Sequence, residues 1–190
     1  KSQITIPKLI TNNSTFTQGT AISNIFNTYF ANIGPKLAEQ FPQDQTFIKY
    51  LKAPANQSMY LQPITEHELT TVINKMQTNK SPGLDELPPK VIKSTTDLII
   101  KPLTHLFNQS FTDAVVPDHL KTAKIIPIYK KKEKHSPGNY RPISLLNIFS
   151  KLLEKLMYKR VYDYLTRFDI IYKHQFGFRK GYSTKLAVIE

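Results

Sequence analysis

The chain has 190 residues, no cysteine and 13 prolines, and 40% of its residues are hydrophobic. This length fits one medium domain or a small domain with an extension, and the hydrophobic content is enough for a packed core. The absence of cysteine excludes disulfide scaffolds, thiolate metal sites and cysteine nucleophiles. No apolar run approaches the ~18 residues of a membrane-spanning helix, so no membrane partner is expected. Because the sequence lacks an initiator Met, an N-terminal apolar core and a clear C-terminal boundary, we expect an intracellular fragment of a longer protein.

The positive charge is concentrated in the last part of the chain. Residues 118–190 carry 16 Lys and Arg against 6 Asp and Glu, whereas residues 1–117 carry 10 Lys against 8 acidic residues. Concentrated positive charge favours a polyanionic partner, because binding releases counterions. A solvated basic face without a partner is the alternative that composition leaves open.

The first third of the chain predicts one helix between irregular segments. Residues 1–19 are polar and lack a period, which is typical of a strap or linker. The apolar residues of 21–40 follow helical spacing, and we expect Gly34 and Pro35 to interrupt that helix. Residues 43–63 predict an irregular connection.

Residues 64–117 predict three helices. Thr65 and Glu68 form a capping box, and the helix that they open should end near Thr78. A short helix is predicted at 89–93, where a proline stands in the first position, and a longer one at 98–114. The expected buried side of the longer helix consists of Leu103, Leu106, Phe107, Ser110 and Phe111.

From residue 121 onward, the apolar residues no longer follow helical spacing and instead form strand-like runs. Two strand-like runs, at 121–129 and 139–146, flank a charged turn and predict a β-hairpin with a basic tip. A helix is expected at 150–165 and a short strand at 170–172. Ser183 is placed to cap a last helix.

The basic hairpin is the strongest chemical signal in the sequence. Because antiparallel strands bring residues from both sides together, Lys130 and Arg141 are expected on one face near the turn. An Arg fork beside a Lys point charge suits a triphosphate. The alternative is an ordinary solvated turn, in which lysines are common.

The segment Gln175-Phe-Gly-Phe-Arg179 is the second signal. Its aromatic rings could stack on bases, and Arg179 could contact a phosphate or a base edge. The alternative makes Phe176 and Phe178 core residues. At least one of them should be buried, because alternate residues of an extended segment face opposite ways.

No spacing indicates another catalytic centre. The five histidines are scattered without metal-binding spacing, no Gly-x-Ser-x-Gly elbow occurs, and no two carboxylates form a convincing pair. The segment from Ser81 to Asp85 lacks the Gly-Lys-Ser/Thr ending of a phosphate-binding loop, so it predicts a turn that Asp85 caps.

Four blocks, taken together, resemble the first blocks of a non-LTR (LINE-type, jockey-like) retrotransposon reverse transcriptase in order and spacing. They are NKSPGLDELP (79–88), VVPDHLKTAKIIPIYKK (115–131), NYRPISLLNIFSKLLEKLMYKRV (139–161) and QFGFRKGYSTKLAV (175–188). Residues 21–38 are similar to the segment that links an upstream endonuclease to the polymerase in such elements.

The resemblance implies an α+β fold, mostly helical with a fingers β-hairpin, as part of a right-hand polymerase. Residues 1–63 would be a linker and helical N-terminal extension. Residues 64–190 would be the fingers portion, truncated before the catalytic palm. Because the palm aspartates are then absent, the fragment is expected to bind no metal and not to polymerise alone, while the complete enzyme would use Mg²⁺.

The resemblance also assigns roles to residues. Lys130, Lys131 and Arg141 would hold the triphosphate of the incoming nucleotide. The residues expected at the template are Lys80, Ser81, Gly83, Gln175, Phe178 and Arg179.

The expected partners are template RNA, a DNA primer or target, deoxynucleoside triphosphates, and the palm and thumb of the same polypeptide. The resemblance implies a location in the nucleus or in a cytoplasmic ribonucleoprotein particle. One alternative is a non-catalytic nucleic-acid-binding module or relic derived from such an element. Another alternative, a plain α-rich interaction domain, does not account for the four ordered blocks.

Overall fold

The computed structural model describes residues 6–41, 46–50 and 57–189, which mix helices with two small antiparallel sheets. This mixture confirms the predicted α+β class, while the right-hand polymerase arrangement stays a prediction. The elements are β1 (Leu9–Thr11), β2 (Ser14–Phe16), α1 (Gly19–Ala38), a 3₁₀ turn (Thr46–Tyr50), α2 (Glu66–Asn74), α3 (Pro89–Ser94), α4 (Thr96–Thr112), α5 (Asp118–Lys121), β3 (Ala123–Tyr129), a 3₁₀ turn (Pro137–Asn139), β4 (Tyr140–Leu146), α6 (Ile148–Arg167) and α7 (Thr184–Ile189).

The chain divides into two compact units, each assembled from several segments. The first consists of Lys1–Gln45, Ser81–Leu87 and Asp118–Ile148. The second consists of Thr46–Lys80, Pro88–Pro117 and Phe149–Glu190. The division of the chain at residue 63 into an extension and a polymerase domain stays a prediction.

The first unit begins with a small β-hairpin, so the prediction of a strap or linker is wrong for this part of residues 1–19. Strands β1 and β2 are joined by Asn12 and Asn13, whose φ angles of 50° and 60° make a two-residue hairpin turn. Leu9 of β1 is completely buried. The strands were missed because three residues are too short to display a period of two.

Helix α1 continues through Pro35 to Ala38, so the predicted interruption is also wrong. Proline removes the amide that would reach the carbonyl of Ala31. Residues 31–40 are exposed, so water can satisfy that carbonyl and the helix tolerates the proline. On its buried side, Ile22 and Phe26 pack in one core cluster that also contains Leu9 and Tyr140.

The predicted hairpin of β3 and β4 is confirmed, with Ile128 opposite Arg141 and Tyr129 opposite Tyr140. The Lys130 amide donates to the carbonyl of Asn139 at 2.8 Å. Hydrogen-bonded pairs therefore fall on the even-numbered residues of β3. Pro127 faces Pro142 at a pair that needs no amide for the ladder, which explains how both prolines fit.

The capped start of α2 in the second unit is confirmed. The Glu68 amide donates to Oγ1 of Thr65 at 3.1 Å. The helix ends at Asn74 rather than near Thr78, because the Met76 amide turns back to the carbonyl of Ile73 at 3.0 Å. Helices α2, α3 and α4 pack together.

Helix α4 buries a narrower stripe than the sequence predicts. Leu103 and Phe107 are buried as expected, but Leu106 is 56% exposed. The buried residues Ile100 and Thr104 belong to the same stripe as Phe107. Leu106 lies about 100° from Phe107 around the helix axis, which turns its side chain out of that stripe.

The last part of the second unit contains α6, a loop and α7. The predicted helix at 150–165 is confirmed within α6, where Leu152, Leu153 and Leu156 are buried. The strand expected at 170–172 is wrong, since the described residues provide no partner strand for it. Ser183 caps α7 as expected, because its Oγ accepts the Leu186 amide at 3.3 Å. Among the described helices, none has the length and apolar character needed to cross a membrane.

Arg160 of α6 makes hydrogen bonds to several segments of the second unit. Its Nη1 and Nη2 donate to Oε1 and Oε2 of Glu68 at 3.1 and 2.8 Å. The remaining guanidinium hydrogens reach the carbonyls of Gln62, Pro63 and Leu156 at 2.7, 3.1 and 3.0 Å. All five donors are satisfied by protein, so Arg160 ties α6 to α2 and to the segment before it.

Acid should weaken this arrangement. Hydrogen bonds from Arg160 lower the pKa of Glu68 below its ordinary value of 4.5 and outweigh partial burial, which acts in the opposite direction. A carboxyl group with a lowered pKa contributes stability above its unfolded pKa and loses it as the pH falls through the folded pKa. We therefore expect the stability difference between the wild-type chain and Glu68→Gln to shrink between about pH 6 and about pH 3 in urea titrations. A difference that stays constant over this range would contradict the assignment.

Candidate functional site

The ten residues between β3 and β4, 130–139, form a basic loop. Lys130, Lys131, Lys132 and Lys134 all have exposed side chains. Lys132 adopts a left-handed backbone with φ of 68°, within a bend at the start of the loop. The predicted basic tip is therefore present and open to solvent.

Lys130 and Arg141 lie on the same side of this hairpin, as the sequence predicts. Arg141 is directly opposite Ile128, and Lys130 is two residues farther along β3, so the two basic residues are diagonal neighbours on one face. Within the part of the chain that the structure describes, neither side chain forms a hydrogen bond or an ion pair, and the same holds for Lys131. Three cationic groups are thus available to an anion at one end of the hairpin.

Two tyrosines hold the backbone of the basic loop. The Tyr129 hydroxyl donates to the Lys132 carbonyl at 2.5 Å, and the Tyr140 hydroxyl donates to the Lys134 carbonyl at 2.7 Å. Their rings meet edge to face with centroids 5.7 Å apart. Burial, and secondarily the neighbouring Tyr129, raises the pKa of Tyr140, so this hydroxyl remains a donor. The loop is fixed through its carbonyls while its lysine side chains stay exposed, with Nζ of Lys134 5.6 Å from the centroid of the Tyr129 ring.

The N-terminal elements support the same loop. The Ile10 amide of β1 donates to the carbonyl of His135 at 2.8 Å. The Phe26 ring of α1 packs edge-on against Tyr140 with centroids 5.0 Å apart. Sequence reasoning missed both tyrosines and this support. The available signal was the pair of tyrosines that flanks the lysine run.

The loop 81–87 is anchored to the junction between β4 and α6. A Cβ on Gly83 would lie 2.5 Å from the carbonyl oxygen of Leu146, so only glycine fits there without a backbone shift. Oδ2 of Asp85 accepts the amide of Ile148, the first residue of α6, at 2.9 Å. Asp85 also accepts the Leu87 amide at 3.4 Å, as the predicted turn cap requires. Its more important role, capping α6, was not visible in the sequence.

The predicted template residues of this region differ in exposure. Lys80 and Ser81 are exposed, whereas Gly83 is buried. Their role at a template stays a prediction, and for Gly83 the close packing gives a structural reason for glycine.

The two phenylalanines of the loop around Phe178 differ in exposure, but neither is buried, so the prediction of a buried phenylalanine in an extended segment is wrong. Phe176 is half-buried and packs edge to face on Tyr182, with centroids 5.7 Å apart. Phe178 is fully exposed and has a φ of 61°. A left-handed bulky residue is uncommon, so the loop presents this ring to solvent at a conformational cost.

The side chains of Arg179 and Gln175 make contacts within the same loop. The Arg179 guanidinium lies 4.0 Å from the Tyr182 ring centroid and donates to the Tyr172 carbonyl at 3.4 Å. Gln175 donates to the Gly177 carbonyl at 3.0 Å. The template role of this loop also stays a prediction.

The described residues do not fit a magnesium site. No group of three or more His, Cys, Asp or Glu residues in those ranges is placed to hold a metal ion. Mg²⁺ binding by a complete polymerase therefore stays an expectation from the resemblance.

Comparison with known proteins identifies the family, although no family model matches the chain. The chain is 34% identical over 168 residues to a probable RNA-directed DNA polymerase from transposon BS of Drosophila melanogaster, over 88% of this chain and 18% of that protein. It is 33% identical over 137 residues to the RNA-directed DNA polymerase from mobile element jockey of the same species, over 72% of this chain and 15% of that protein.

A probable RNA-directed DNA polymerase from transposon X-element of Drosophila melanogaster is 34% identical over 127 residues, over 66% of this chain and 14% of that protein. The chain thus spans less than a fifth of the length of these curated relatives. The resemblance predicted from the four sequence blocks is confirmed. The chain belongs to the family of RNA-directed DNA polymerases of non-LTR retrotransposons.

Proposed function

We propose that this chain is the part of a retrotransposon RNA-directed DNA polymerase that binds the incoming nucleotide triphosphate and the template RNA. The observation that carries the nucleotide role is the placement of Lys130 and Arg141 on one hairpin face with side chains that have no partner among the described residues. Lys131 adds a third charge beside them.

The chemistry of these groups suits a triphosphate. A guanidinium donates two parallel hydrogen bonds to phosphate oxygens, and an ammonium neutralises the remaining charge. The tyrosine hydroxyls that fix the loop carbonyls lower the ordering cost of binding, because the backbone is already in place. Nucleotidyl transfer needs carboxylates that hold two metal ions, so we assign this chain binding and orientation rather than bond formation.

The template role is proposed for Lys80, Ser81 and Gly83 and for the loop that contains Gln175, Phe178 and Arg179. The exposed Phe178 ring supports this proposal, since exposed aromatic side chains stack on unpaired bases. The RNA template and the DNA primer would then be the partners of the complete protein.

The nucleotide role is tested by Arg141→Ala in the complete enzyme. Removing a bidentate guanidinium costs about 1.5–3 kcal/mol, so the KM for deoxynucleotides should rise roughly tenfold to a hundredfold. The affinity for template RNA should change little. Steady-state primer extension at varied nucleotide concentration gives the first quantity, and filter binding gives the second.

Lys124→Ala is the matched control, because Lys124 is an exposed cation on the same hairpin face, toward the other end of β3. It should leave the nucleotide KM unchanged. An unchanged KM in Arg141→Ala would refute the assignment. A complete protein that binds RNA but never extends a primer would support the alternative of a non-catalytic binding module.

A further inference from the structure

The solvent-facing side of α6 combines lysines with a stacked tyrosine pair. Lys151, Lys155 and Lys159 follow one another at four-residue spacing. Tyr158 and Tyr162 lie beside them, with ring centroids 5.4 Å apart and ring planes 22° apart. These five residues are called the α6 stripe.

The α6 stripe follows one side of the helix, with Lys155, Tyr158 and Lys159 exposed and with Lys151 and Tyr162 half-buried. At 3.6 residues per turn its members fall within an arc of about 100° around the helix axis. Glu154 and Asp163, the acidic residues of α6, lie outside that arc. Lys155 is exposed and Tyr158 is 58% exposed, so the middle of the stripe is open.

Two lysines of the stripe, Lys151 and Lys159, are engaged within the protein. Nζ of Lys159 lies 3.6 Å from Oε1 of Glu68, although its side chain is 64% exposed. The most available charge of the stripe is therefore that of Lys155, which lies one turn before Tyr158 and Lys159.

We propose that the α6 stripe binds single-stranded nucleic acid without sequence preference, separately from the triphosphate site. Lysines that repeat about every 6 Å along a helix can contact successive phosphates, and the exposed ring of Tyr158, stacked on Tyr162, offers a platform for a base. An acidic protein surface would use the lysines but not the stacked rings. In duplex DNA the bases are paired and stacked inside the double helix, where the tyrosine rings cannot stack on them. The combination of charge and exposed aromatic rings therefore favours a single strand.

Lys155→Gln, Tyr158→Leu and Tyr158→Phe in the 190-residue chain test the proposal, with labelled oligouridylate of about 15 nucleotides as the probe. Lys155→Gln should reduce the slope of log affinity against log salt by about 1. Tyr158→Leu should weaken binding roughly tenfold at every salt concentration, while Tyr158→Phe retains the wild-type affinity. The chain has 10 Tyr and no Trp, so its emission is that of tyrosine, and the quenching on binding that Tyr158→Phe lacks is assigned to Tyr158.

The matched control is Lys101→Gln, which removes an exposed charge from α4 in the same unit and should change nothing. Thermal unfolding of each variant verifies that the fold is retained. Equal weakening by Tyr158→Leu and Tyr158→Phe would overturn the proposal. The proposal would also be overturned if Lys130→Gln abolished oligonucleotide binding while the substitutions at Lys155 and Tyr158 left it unaffected. Because Arg141→Ala tests only nucleotide use, failure of either proposal leaves the other standing.

Discussion

Arg160→Met should lower the free energy of unfolding by about 3 kcal/mol, the largest loss we expect from a single polar side chain here. The variant keeps the apolar stem but leaves Glu68 partly buried without its bidentate partner. It also leaves the carbonyls of Gln62 and Pro63 without the donors that they now have. Urea denaturation of the 190-residue chain measures the change.

Lys159→Met is the matched control, because Lys159 is the other cation near Glu68 but is largely exposed. An exposed ion pair contributes less than about 1 kcal/mol, so this control should cost little. In the double variant Arg160→Met/Glu68→Leu, part of the lost stability should return, since the unpaired carboxylate is gone. Equal costs for Arg160→Met and Lys159→Met would show that the partly buried pair of Arg160 and Glu68 has no special role.

Gly83→Ala should destabilise the first unit by about 1–3 kcal/mol, the usual cost of forcing an extra methyl group into packed structure. The added Cβ would lie 2.5 Å from the oxygen and 2.6 Å from the carbonyl carbon of Leu146, and neither belongs to a flexible side chain. The loop 81–87 must therefore move away, and the hydrogen bond from the Ile148 amide to Asp85 should lengthen with it. Hydrogen exchange at the start of α6 would report that change.

Gly19→Ala provides the comparison. No atom lies within 4 Å of a Cβ at Gly19, and this residue begins α1. Alanine there should be neutral or slightly stabilising, because it restricts the unfolded chain without a clash. If both substitutions had the same effect, the close approach at Gly83 would be irrelevant to stability.

The β3–β4 hairpin was predictable because its signals are local. Two runs rich in isoleucine, leucine and tyrosine, a run of lysines and Gly138 all lie within the two strands and their connection. Arg141 and Lys130 could thus be placed on one face before any tertiary contact was known. The tyrosine hydroxyls that hold the loop depend on the exact register, which periodicity alone does not fix.

The features that the sequence did not predict depend on contacts between distant segments. Asp85 looks like the cap of its own turn, whereas the helix that it caps begins 63 residues later. Arg160 contributes to the basic excess of residues 118–190, but its charge is balanced by the partly buried Glu68 of the second unit. A count of charges therefore overstates how many of them face a partner.

The proline pair of the β3–β4 hairpin has a consequence for how other molecules can approach it. In a two-stranded sheet each strand presents an outer edge, and residues of the non-hydrogen-bonded pairs direct their amides to that edge. Pro127 and Pro142 occupy such a pair near the middle of each strand, so each edge lacks a donor where an additional strand would need one. Sideways growth into a larger sheet or an aggregate is thereby disfavoured. A ligand can instead approach the broad faces of the hairpin, and one of these faces carries Lys130 and Arg141.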